Sequence, residues 1–218
     1  MEQNIPWKRA AKPEEIAKLA LFLASDDAEH LFKHNGCMIP FTLATLRTPD
    51  GPRAALGVGP AYHLLHTLRP ERHFTTRSLL ADWDTAFPML AQLAEKIAAG
   101  KIGETTRIEK DKAQFETPVM YPDNLMAVGG NYSGHLKEMG LEVKKWAVMP
   151  FFTKPPKTTL VGPGETVRIP RSTKEFDWEL ELVAFVSKRL RHASKEEAAS
   201  AVAGYAVGLD LSCRDLMK

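Results

Sequence analysis

Cysteine is scarce in this chain of 218 residues: there are two, Cys37 and Cys213, far apart in sequence. That excludes a disulfide framework and fits a reducing cytosol. Long apolar runs are lacking too. No stretch approaches the ~20 apolar residues of a membrane span. The opening Met1-Glu2-Gln3-Asn4-Ile5-Pro6-Trp7-Lys8-Arg9 lacks the apolar core of a signal peptide. Neither sign of charge dominates: 29 Lys and Arg stand against 27 Asp and Glu, a net charge of +2, which gives no case for nucleic acid or an anionic membrane surface. No repeat or low-complexity segment is found. What is there, 44% hydrophobic and 26% charged residues, is ordinary for a globular protein of one large or two small domains. The expectation is a cytoplasmic protein.

Taken in order, residues 13–34 read as helical. Pro13 suits a first helical position, Glu14 and Glu15 favour the positive helix end, and Asn35-Gly36 is a stop. Met38–Leu46 and Pro52–Val58 read as two strands joined through Pro49-Asp50-Gly51, a hairpin. Leu79–Ala99 reads as a helix broken near Pro88, with Leu90, Leu93, Ala94 and Ile97 on one face and Gly100 at its end. Residues 101–117 show no period and read as a linker. Leu125–Val128 and Trp146–Phe152 read as strands, the second buried. Lys154-Pro155-Pro156-Lys157 reads as an extended connector, Val161–Gly164 as a turn and Val167–Pro170 as a short strand. Ser194-Lys195-Glu196-Glu197 is a capping box opening a helix that Gly204 ends, before a strand over Tyr205–Leu211.

Three stretches carry chemistry. In Phe176–Val186 acidic and apolar residues alternate, the period of a strand with one face buried. Asp177, Glu179 and Glu181 then share a face. Their mutual repulsion requires good solvation or a cation between the oxygens. In Gly130–Gly140, His135 and Glu138 stand three residues apart behind Ser133, a helix cap. They are either a general-base pair, the carboxylate orienting the imidazole, or a surface pair. Asp210 lies between Leu209 and Leu211 in an apolar run, where a carboxylate needs a partner. Arg214 would supply one as a plain ion pair.

The order and texture of these pieces resemble the fumarylacetoacetate hydrolase family. The matching pieces are Gly130-Asn131-Tyr132-x-x-His135-x-x-Glu138, Phe152-x-Lys154-Pro155, Asp177-Trp178-Glu179-Leu180-Glu181-Leu182, Gly204-Tyr205 and Leu209-Asp210-Leu211-Ser212-Cys213-Arg214-Asp215. The resemblance implies an α+β fold: a small N-terminal β/α domain over residues 38–117, linker included, then an incomplete mixed β-roll over 118–218. It implies Glu179, Glu181 and Asp210 as carboxylate ligands of a divalent metal, Mg²⁺ or Mn²⁺ with Ca²⁺ as a further candidate. His135 and Glu138 would be the catalytic dyad, and Lys154 and Arg214 secondary substrate contacts. It further implies a small 2-keto acid or β-dicarbonyl substrate, in hydrolysis, decarboxylation, isomerisation or hydration, and a homodimer.

The sequence departs from that family in places. Asn131 stands where fumarylacetoacetase itself has a further Asp ligand, and Met217 where members usually carry Gln. Members continue past Lys218 with closing strands, a substrate-contacting lysine and a Thr-Gly-Thr-Pro-like segment. The alternative expectation is therefore a non-catalytic fragment with at most a residual metal site. Residues 1–37 read as a helical extension. Ile5-Pro6-Trp7-Lys8-Arg9, Lys12-Pro13-Glu14-Glu15-Ile16-Ala17 and Leu21-Phe22-Leu23-Ala24-Ser25-Asp26 resemble the tail of a short-chain dehydrogenase/reductase. No Gly-x-x-x-Gly-x-Gly loop or Tyr-x-x-x-Lys pair accompanies them, so no oxidoreductase activity is implied.

Overall fold

The computed structural model describes residues 39–129 and 150–217. The helix expected over 13–34 and the stretch holding Asn131, His135 and Glu138 lie outside the described residues.

The chain between residues 39 and 117 builds a four-stranded antiparallel sheet in sequence order: β1 (Thr42–Leu46), β2 (Arg53–Val58), β3 (Ala61–Leu64) and β4 (Arg107–Glu109). The expected β1–β2 hairpin forms. Gly51 closes its turn at φ +94°, donating its N–H to the Thr48 carbonyl at 3.0 Å, while the Thr48 hydroxyl donates to the Gly51 carbonyl at 2.7 Å. Strand β2 is buried over Ala54–Val58 because both of its faces are covered. Ala54, Leu56 and Val58 face a core with Leu65, Leu79, Ala86, Leu90, Leu93 and Ala94. Ala55 faces a smaller cluster with Ala44, Leu46, Tyr62 and Phe115. Gly57 permits this packing: a Cβ there would lie 2.2 Å from Thr42 Oγ1 and 2.7 Å from the Tyr62 ring.

Three helices pack against this sheet. Leu65–Leu68 (α1) continues β3 directly, and Thr76–Ala81 (α2) begins with a capping box between Thr75 and Ser78. Trp83–Ala98 (α3) lays Ala86, Leu90, Leu93 and Ala94 on the core. The break expected at Pro88 falls at Asp82 instead, and α3 runs through the proline. Pro88 forfeits one backbone bond early in the helix, and the apolar face on either side of it keeps the helix docked. Gly100, at φ +66°, ends α3: its N–H reaches the Ile97 carbonyl and the N–H of Lys101 the Lys96 carbonyl.

Residues 101–117 are not a free linker. They carry a 3-10 turn (Glu104–Thr106), β4, and a bridge from Phe115 back to Leu46. Strand β4 is three residues long, too short to display a period in sequence. The turn is tied down by His63, whose Nδ1 lies 3.0 Å from the Gly103 carbonyl and 3.1 Å from Thr106 Oγ1. Burial lowers the His63 pKa from its ordinary value, the Gly103 hydrogen bond opposing the shift.

Further on, β5 (Met126–Val128) pairs antiparallel with β6 (Phe151–Thr153). The expectation of burial is reversed for the described part of the second strand: Phe151 is 58% exposed and Phe152 42%. The dipeptide Pro155-Pro156 opens a short helix, Pro156–Thr159 (α4), since proline fits a first helical position. Val161–Gly164 turns as expected, with Gly164 at φ +80°, and Val167–Pro170 is not a strand. The last unit is a long antiparallel pair, β7 (Phe176–Val186) and β8 (Val202–Cys213), connected through α5 (Lys195–Ser200). Ser194 and Glu197 form the expected capping box, but the helix yields to β8 at Val202, before Gly204. Pairing with the long β7 claims those residues. A 3-10 turn, Arg214–Leu216, follows β8. Among the described residues no helix is long and apolar enough to cross a membrane.

Candidate metal and substrate site

The β7–β8 register builds the site. Glu179 lies opposite Asp210, Glu181 opposite Gly208 and Asp177 opposite Ser212. Side chains alternate along a strand, so Asp177, Glu179, Glu181, Asp210 and Ser212 all project from one face of the ribbon. That face is the covered one. Asp177 and Ser212 are buried, and Glu179, Glu181 and Asp210 are half-buried. The apolar alternates take the more open face: Leu182, Val186, Val207 and Leu209 are exposed, and Trp178, Leu180 and Leu211 half-buried. Gly208 adds no side chain beside Glu181, and a Cβ there would come within 2.7 Å of Val183 Cγ2.

Cations meet these carboxylates. The 3-10 turn after β8 is anchored by the Arg214 N–H on the Glu175 carbonyl at 2.9 Å, which turns the guanidinium back over the acidic face. Arg214 Nε donates to Asp177 Oδ2 at 3.1 Å, and its Nη2 pairs with Glu179 Oε1. One guanidinium thus bridges two carboxylates on the same strand, relieving the repulsion between them. Asp177 Oδ1 also accepts the Trp178 N–H at 2.9 Å. Asp210 takes its cation from elsewhere in the chain: Lys154 Nζ, just after β6, pairs with Asp210 Oδ1. The Lys154 N–H holds the Leu125 carbonyl at 3.1 Å, so the β5–β6 pair delivers the ammonium to β8. The ion pair of Asp210 with Arg214, one of the two sequence readings, is not the one formed. Asp215 sits just outside. It accepts from Thr173 Oγ1 at 2.6 Å and from the Lys174 N–H at 2.8 Å, and these bonds, the first foremost, lower its pKa.

The donor set suits a hard divalent cation in kind. Every candidate ligand is a carboxylate oxygen on one face, and two of the three stand opposite each other. Among the described residues, no three His, Cys, Asp or Glu side chains converge as a metal cage. The places between the carboxylates are taken by Arg214 and Lys154. Sequence reasoning grouped Glu179, Glu181 and Asp210 on one site. It passed over the pairing of Asp177 with Arg214 and of Lys154 with Asp210. Asp177 carried a signal, its place in the alternation. The Lys154 contact carried none, since the two residues are far apart in sequence.

The fumarylacetoacetate (FAA) hydrolase C-terminal family model matches residues 124–218, the segment that carries this site. The mitochondrial oxaloacetate tautomerase Fahd2a of Rattus norvegicus is 30% identical over 159 residues, covering 73% of this chain and 48% of that protein. The chain therefore spans about half the length of this curated relative. Among solved structures, maleylpyruvate hydrolase from Sphingobium sp. SYK-6, in complex with manganese(II) ion and pyruvate, superposes with a TM-score of 0.57 at 26% identity. That match covers 79% of this chain and 59% of the other. The fumarylacetoacetate hydrolase of psychrophilic Exiguobacterium antarcticum shares the fold, with a TM-score of 0.59 at 20% identity over 82% of this chain and 58% of that one. The α+β architecture and the matched segment lead to one conclusion: residues 124–218 are a segment of the fumarylacetoacetate hydrolase C-terminal family.

Proposed function

We propose that the chain serves an enzyme acting on a small 2-keto acid or β-dicarbonyl, with a divalent cation held by Glu179, Glu181 and Asp210. The observation that carries this reading is the β7–β8 register, which sets Glu179 against Asp210 with Glu181 on the same face. Support comes from the relatives: one is named for oxaloacetate, and a manganese ion and pyruvate accompany another. A bound cation would act as Lewis acid on the substrate's keto group. Arg214 aims Glu179 along the acidic face by bridging it to Asp177. Lys154 offers an ammonium on the same face, suited to a substrate carboxylate. His135, oriented by Glu138, is proposed to move the proton in hydrolysis, decarboxylation, isomerisation or hydration. Residues 38–117 are proposed as the N-terminal domain and its linker, and 118–218 as the catalytic unit.

A second reading, a non-catalytic chain with a residual metal site, is favoured by one observation: Lys154 and Arg214 already neutralise Asp210 and Glu179. Two measurements separate the readings. Calorimetric titration of Mn²⁺ into metal-free protein is expected to give saturable binding that the Glu179→Ala/Glu181→Ala double variant loses. Oxaloacetate and acylpyruvates, followed by enol absorbance, are expected to turn over in wild type and not in His135→Ala. Metal binding without turnover of any of these compounds would leave the second reading.

A further inference from the structure

Asp210 is the one charged residue of β8, its side chain 15% exposed, and its partner comes from a different sheet. Lys154 leaves the end of β6 and spans to β8, the ammonium on Asp210 Oδ1 and 6.0 Å from the centre of the Phe152 ring. Glu179, opposite Asp210, is turned toward Arg214. With these two cations in place, no three carboxylates of the described face converge. Arg214 has a second, buried anchor in Asp177. Among the described residues, Asp210 is the one carboxylate paired with the Lys154 ammonium. The weaker-held cation is therefore Lys154, and it sits on a candidate metal ligand.

We propose that Lys154 is a built-in competitor for the divalent cation: its ammonium occupies the Asp210 carboxylate, and a metal enters by displacing it. This rests on the reading that Glu179, Glu181 and Asp210 hold the metal. The displaced ammonium remains tethered at the end of β6, so the lysine sets the apparent metal affinity without being a ligand. A site that is competent only when the lysine is away has its affinity reduced by the fraction of time the lysine is away. A lysine engaged about nine-tenths of the time weakens apparent binding roughly tenfold.

The test is calorimetric titration of Mn²⁺ into metal-free wild type and the variants Lys154→Met, Lys154→Arg and Lys157→Met. Lys157, on the nearby α4, removes the same charge without touching the carboxylates. Each variant's fold is checked by circular dichroism. Lys154→Met is expected to bind on the order of tenfold more tightly than wild type. Lys154→Arg, which keeps the charge and adds a second donor, is expected to bind no more tightly than wild type. Lys157→Met is expected to stay within about twofold of wild type, the lysine being outside the competition. Equal or weaker binding by Lys154→Met, where wild type binds, overturns the competitor and leaves the carboxylate site standing. Equal tightening by both Met variants also overturns it, as a general charge effect. Absence of binding in every protein overturns the competitor and the metal reading together. Should Lys154→Met fail to fold, tightening in Lys154→Gln is required, and its absence counts against the proposal.

Discussion

The N-terminal sheet and the β7–β8 ribbon use the same strand period to opposite ends. In β2, burial and apolarity coincide: Ala54, Leu56 and Val58 line one core and Ala55 another. In β7 and β8 the covered face carries Asp177, Glu179, Glu181 and Asp210, while Leu182, Val186, Val207 and Leu209 lie open. A core forms where apolar faces meet. The ribbon instead spends its covered face on carboxylates and holds them with Arg214 and Lys154. Stability thus concentrates in the first region and chemistry in the second, a division expected when polar function occupies a buried face.

The contrast breaks most visibly through the core. Leu56 and Leu90 are fully buried, so Leu56→Ala or Leu90→Ala is expected to cost about 2–5 kcal/mol in urea unfolding. The matching truncation on the ribbon's open face, Leu209→Ala, is expected to stay within about 0.5 kcal/mol. Comparable losses at the two places would mean that Leu209 is covered in solution. Next comes the buried ion pair. Asp177→Ala leaves Arg214 with Glu179 alone and is expected to cost roughly 2 kcal/mol, under the ~3–5 kcal/mol of a wholly buried pair that loses one partner. A neutral result would show that the acidic face is fully solvated.

The smallest effect belongs to His63, in the sheet region. Its folded pKa lies below the ordinary value of 6.5 because burial disfavours the charged ring. The unfolded chain therefore binds the proton first. The stabilisation is complete above the unfolded pKa and is lost as pH falls through the folded one. Melting temperature is expected to drop as pH is lowered below about 6.5. The groups facing the ring are Arg107, Glu104 and Glu109, with the Gly103 carbonyl and Thr106. His63→Asn, which keeps a donor toward Gly103, is expected to flatten that dependence between pH 5 and 7, as read from melts at each pH. An unchanged slope would assign it to other groups.

Much of this was legible in the sequence, for local reasons. The β1–β2 hairpin follows from Pro49-Asp50-Gly51, the start of α5 from Ser194 and Glu197, and the end of α3 from Gly100, each a chemistry of neighbours in the chain. The common face of Glu179 and Glu181 follows from the period of two alone. Strands β3 and β4 escaped because three or four residues cannot show a period, and their pairing is with chain far away. The continuity of α3 through Pro88 is likewise a tertiary result, since an apolar face docked on the sheet outweighs one lost backbone bond.

By itself, then, the sequence determined which residues of β7 share a face and where the β1–β2 turn and the α5 cap fall. The period and the capping chemistry are properties of a few adjacent residues. Only the tertiary structure decided which face of the ribbon is covered, and which cation each carboxylate meets: Lys154 for Asp210, Arg214 for Asp177 and Glu179. Those outcomes depend on how separate sheets approach each other, and ion pairing across such distances in the chain leaves no local pattern to read.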